Sequence, residues 1–125
     1  MIVNVATVLA ALIGAGILFI AVNAVRAPRT VTGFGIPGTP VDDPAFRAWI
    51  SVKAARDAAL GVVLFVLLAV ATPAVLGWFL LVTAGIPVGD MLIVLRSKGP
   101  RAIAYGVHGA TAAVMLVAGV LLLVG

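Results

Sequence analysis

The chain has 125 residues, of which 64% are hydrophobic and 10% charged, with eight Lys and Arg against four acidic residues and a single His. A mean hydropathy of +1.32 excludes an ordinary water-soluble domain. The absence of Cys removes disulfides and thiolate chemistry, one His with no Glu leaves no expected metal site or cofactor, and basic residues that flank apolar runs instead of forming a solvated patch argue against nucleic acid as a partner.

The first apolar stretch, residues 2–25, reaches the ~20 residues needed to cross a ~30 Å hydrocarbon core. It has no basic leader region and no small-residue cleavage site, so it reads as a retained helix. Residues 27–43 hold Pro28, Pro37 and Pro40 with Gly33, Gly35 and Gly38, which predicts an irregular connection. Its apolar part, Val31 to Pro37, suits a segment dipping over the mouth of the helices, and a plain flexible linker is the alternative. Asp42 or Asp43 before Pro44 is a helix start, with an acidic group at the positive end of the dipole and Pro in the first turn. The second helix is expected over 44–71.

Thr72 and Pro73 repeat that device for a third helix over 73–97, with Pro87 between Gly85 and Gly89 predicting a kink. Ser97 to Pro100 make a short turn into a fourth helix over 101–124. Short turns predict that the second, third and fourth helices are antiparallel neighbours. The spacings Ala55/Ala59, Gly85/Gly89, Gly106/Ala110 and Gly109/Ala113 predict close helix contacts in lipid.

The expectation is therefore one all-α domain, 1–125: an integral membrane four-helix bundle of up-down topology. The excess of Lys and Arg on cytoplasmic loops assigns the Gly/Pro loop 27–43 and the turn around Arg96, Lys98 and Arg101 to the cytoplasm. Both termini then lie on the non-cytoplasmic side of a plasma (inner) membrane crossed several times. The lipid bilayer is the first partner, and so small a bundle makes a homo-oligomer plausible.

Counting at 1.5 Å per residue from the uncharged face places Asp57 at about 21 Å and Asp90 and His108 at about 24 Å, one level just inside the charged boundary. Helical phase, at about 100° per residue, lets Trp49, Lys53, Arg56 and Asp57 of the second helix face Thr83 and Asp90 of the third. Tyr105, His108, Thr111 and Met115 of the fourth and Asn23 of the first can join them. Lys53 and Arg56 balance Asp57 and Asp90, which avoids the ~3 kcal/mol or more that an unpaired ion costs at that depth. Lys53 and Arg56 can alternatively snorkel to headgroups. Thr83 and Thr111 are expected to hydrogen-bond between helices.

These residues predict a site for a small lipophilic or amphipathic molecule, with its head against Lys53, Arg56 and His108 and its body against Trp49, Tyr105 and Met115, Thr111 and Asn23 completing the lining. Two other functions use the same groups. A cofactor-free membrane isomerase or cyclase would take Asp57, Asp90 and His108 as acid and base, and a small proton-coupled transporter acting as an oligomer would alternate one carboxylate between proton and substrate.

The runs Phe46 to Asp57 (FRAWISVKAARD), Gly85 to Asp90 (GIPVGD) with Leu95 to Gly99 (LRSKG), and Ala104 to Thr111 (AYGVHGAT) resemble the small four-helix membrane protein family catalogued as domain of unknown function 4267. That resemblance implies a compact integral membrane protein and brings no established activity. The positions it shares, Arg56, Asp57, Asp90 and His108, fall in the polar layer.

Overall fold

The computed structural model describes residues 1–125 and is helical throughout, without strands. In chain order, α1 is Ile2–Arg26, followed by a 3-10 segment Pro28–Phe34; α2 is Pro44–Val70, α3 Pro73–Thr83 and α4 Gly85–Arg96. A short α5, Arg101–Ile103, leads through a π-helical segment, Ala104–Gly109, into α6, Ala110–Val124. Capping follows local chemistry. The Asp43 carboxylate accepts from the Phe46 amide at 2.7 Å, and the Thr72 hydroxyl accepts from the Val75 amide at 3.4 Å, each with Pro in the first turn, where its missing N–H costs nothing.

The third apolar stretch is two helices. Pro87 has no amide to return to the Thr83 carbonyl, and the chain breaks at Ala84 between α3 and α4, as a proline inside a helix dictates. The fourth begins with the short α5 and the wide π turns. There the Ala110 amide reaches the Tyr105 carbonyl five residues back.

Ile2–Arg26, Pro73–Arg96 and Arg101–Val124 are long and apolar enough to cross a membrane. The chain is a membrane protein on that ground. α2 is as long, but Arg47, Lys53, Arg56 and Asp57 occupy its first half. Only 21 of 125 residues are buried, and Val8, Leu12, Phe19, Val62, Trp78, Val82 and Val117 are among the apolar side chains facing out. A surface of that kind belongs in hydrocarbon.

The interior is thin: Ala6 and Ala10 of α1, Leu64 of α2, Leu76 and Leu80 of α3, Ala84 at the break, and Met115, Ala118 and Leu122 of α6. α1 packs chiefly on α2 and α6, and α3 on α6, whereas α2 touches α3 little. The neighbour relation expected from the short Thr72–Pro73 turn is thus corrected. What decides the pairs is where backbones can meet. A Cβ on Gly61 would stand 2.8 Å from Leu18 and 3.3 Å from the Gly14 carbonyl, and one on Gly77 would stand 2.9 Å from the Gly119 carbonyl.

Those four glycines are the crossing points. Of the spacings read as contacts, Ala55, Ala59, Gly85, Gly106, Ala110 and Ala113 are exposed, nothing lies within 4 Å of the Cβ direction at Gly89, and only Gly109 packs closely, beneath Met91. Gly125 lies beside Ile2 and Val3, and Gly35 beside Val94 and Ile103. The two chain ends therefore meet at one end of the molecule and the Gly/Pro loop covers the other.

Candidate functional site

The loop 27–43 is built, not loose. The Thr30, Thr32 and Thr39 hydroxyls donate to the carbonyls of Ala27, Arg29 and Ile36, local bonds that fix turns. Arg47 Nε donates to the Val41 carbonyl at 2.8 Å, and the same guanidinium pairs with Asp42 at 3.2 Å, fastening the end of the loop to α2. Gly35 turns the chain at φ 102°, a conformation that suits glycine, and is pressed between Val94 and Ile103.

That turn drives Phe34 down between the helices. Its ring centroid is 4.5 Å from that of His108 at an interplanar angle of 51°, and the Lys53 ammonium lies 5.7 Å from it on the cation–π side. Its carbonyl oxygen is 2.8 Å from His108 Nε2. Since a carbonyl only accepts, Nε2 carries the proton and donates. The other ring nitrogen, Nδ1, then faces Asp90 Oδ2 at 3.9 Å.

Lys53 and Asp57, one turn apart on α2, form an ion pair at 2.5 Å. Asp90 faces the His108 imidazole, and the Phe34 ring links that imidazole to Lys53. The cluster thus draws on α2, α4, the π segment and the loop. The Asp57 and Asp90 side chains are each 24% exposed and His108 9%, so the carboxylates are within reach of a molecule between helices while the imidazole is enclosed.

The arrangement brings together four of the residues expected at the site, Lys53, Asp57, Asp90 and His108. The others stand apart. Arg56 is exposed and makes no ion pair, so the balance of Lys53 and Arg56 against the two Asp residues is corrected: Asp57 is met by Lys53, and Asp90 faces His108. Trp49 is 71% and Tyr105 57% exposed on the outer surface, and Met115 is part of the apolar core. Asn23 is half-buried, and its carbonyl accepts from Ala27.

Thr111 and Thr83 bond within their own helices, to the carbonyls of Val107 and Phe79, which corrects the interhelical role. A helix hydroxyl saves itself a partner by bonding four residues back. Phe34 was not among the expected residues. Its signal is a single aromatic between two glycines, Gly33 and Gly35, the one aromatic ring in residues 27–43. Beside the cluster lies an open hollow of about 430 Å³, lined by Gly35, Ile36, Pro37, Gly38, Pro100 and Ile103 among others.

No curated protein and no solved structure matches the chain. The model of the family described as Domain of unknown function (DUF4267) matches residues 14–122, a span that includes Phe34, Lys53, Asp57, Asp90 and His108. The chain belongs to that family, and the cluster lies wholly within the matched part.

Proposed function

We propose that the protein is a four-helix, up-down membrane bundle that binds a small amphipathic molecule at its charged end, with the head against Lys53, Asp90 and His108 and the apolar body between α2 and α4. The loop and the basic turn lie on the cytoplasmic side of the plasma membrane and both termini on the other. α2 completes the bundle, its charged first turns at headgroup level. The observation that carries this is that Asp90 of α4 faces His108 of the π segment at 3.9 Å, with the Phe34 ring lying against both His108 and Lys53 of α2. Intramembrane ionisable groups are costly to keep without a use.

The test is thermal stabilisation of the full chain in nanodiscs by single-chain amphiphiles bearing a carboxylate, an alcohol or a methyl ketone head. At least one raises the melting temperature of the wild type and fails to do so for Asp90→Ala, while membrane insertion is unchanged. If no amphiphile separates the two proteins, the binding site is elsewhere or absent.

A second reading, a cofactor-free isomerase or cyclase, is favoured by the facing of Asp90 and His108 Nδ1 at 3.9 Å, an acid–base arrangement. Any turnover found with a lipophilic substrate should disappear in the double variant Asp57→Asn, Asp90→Asn; persistence rules this reading out.

A further inference from the structure

His108 is the buried polar side chain of the molecule, and the acceptor of its Nε2–H comes from the loop, not from a helix. A buried donor deprived of its acceptor is expensive, so the Phe34 carbonyl can leave only if another acceptor oxygen takes its place. The Phe34 ring, stacked against the imidazole, also has the Lys53 ammonium over it at 5.7 Å. One loop residue thus presents a flat apolar group and an acceptor oxygen, side by side, to two bases of the cluster.

We propose that Phe34 is a resident occupant of this site, filling it with a ring and a carbonyl as a ligand would, and that the ligand class able to displace it is a flat apolar molecule carrying a neutral carbonyl oxygen. The inference rests on the cluster being a binding site, as argued above. A hydrocarbon leaves the Nε2–H unpaired. A free carboxylate supplies an acceptor but sets its charge against the Asp90 carboxyl group, 3.9 Å from the same imidazole, and carboxylates sharing a site repel. A ketone or ester replaces the lost hydrogen bond without that repulsion, and its ring restores the contact with Lys53.

Displacement has to lift this loop turn from its seat while Arg47 keeps the loop's end tied to α2. That seat is a backbone contact, Gly35 against Gly99, with Val94 and Ile103 on either side, and Phe34 itself is only half-buried. Ring and carbonyl move together, so displacement removes the aromatic contact of Lys53 and the acceptor of His108 in one step.

The experiment compares 2-acetonaphthone with 2-ethylnaphthalene, near-equal in shape and differing in the acceptor oxygen, on the full chain in nanodiscs with 15N-labelled histidine. The ketone, and not the hydrocarbon, should shift the His108 Nε2–H resonance and raise deuterium uptake across residues 30–42. Phe34→Ala keeps the backbone carbonyl and removes the competing ring, so it should bind the ketone about tenfold more tightly; Phe34→Leu serves if that variant does not fold.

Equal effects of the two compounds, no effect of either, or weaker binding by Phe34→Ala overturns the proposal. Should both compounds fail while an amphiphile still gives Asp90-dependent stabilisation, the occupant role of Phe34 falls and the binding site stands. Should the amphiphiles fail as well, both fall.

Discussion

Two neighbouring residues at the end of α4 have opposite tolerances. Lys98 sits at φ 58°, with its amide on the Leu95 carbonyl at 3.1 Å and that of Gly99 on the Val94 carbonyl at 2.9 Å. This is the left-handed helix ending that usually takes glycine at the position of Lys98. Lys98→Gly should therefore stabilise the protein by up to about 1 kcal/mol, read as a higher melting temperature. Gly99 has no positive φ to excuse its lack of a side chain, yet a Cβ there would run into the Gly35 carbonyl. Gly99→Ala should cost about 1–3 kcal/mol and speed deuterium exchange in the loop, because the helix end and the loop seat share that space. The turn itself was legible in Ser97 to Pro100. Which glycine serves the backbone and which the packing was not, since the contact is made with a residue far away in sequence.

At the level of helices, close approach depends on isolated glycines that meet across an interface. Gly77→Ala places a Cβ 2.9 Å from the Gly119 carbonyl and should lower stability by about 1–3 kcal/mol. Gly106→Ala meets nothing within 4 Å and should be neutral or gain up to about 1 kcal/mol from reduced chain entropy; thermal denaturation of the pair in one detergent checks the contrast. Small residues spaced four apart in a single helix announce a face but not its partner, which is why Ala55/Ala59 and Gly106/Ala110 misled while Gly14/Gly61 and Gly77/Gly119 went unread. Caps were legible because they are local: Asp43 and Thr72 bond amides three residues on. Asp43→Ala should remove about 1 kcal/mol and show as faster exchange at residues 44–47. The π turns around His108 left no mark in the apolar pattern. The placement of Thr111 failed with them: Ala104, His108, Ala112 and Met115 point inward, so the residue after His108 on the inner face is Ala112.

For the whole molecule, the lack of Cys makes orientation directly measurable. Single cysteines at Thr39 and Ser97 should react with a membrane-impermeant maleimide only from the cytoplasmic side, and one at Thr72 only from the opposite side; labelling of all three from one side refutes the topology. The membrane character was legible from apolar length, and the rise per residue brought Asp90 and His108 to one level, where they lie 3.9 Å apart. The outward turn of Arg56, Trp49 and Tyr105 was not, since azimuth depends on which helices pair. α2 packs on α1 and meets α3 and α4 little, and Lys53 and Asp57 lie on α2 while Asp90 lies on α4. A guest of the kind proposed above would enter there sideways, from the acyl chains. For a compound held almost wholly in lipid, occupancy would then follow its mole fraction in the bilayer, and halving the lipid at fixed total compound should fill the site further.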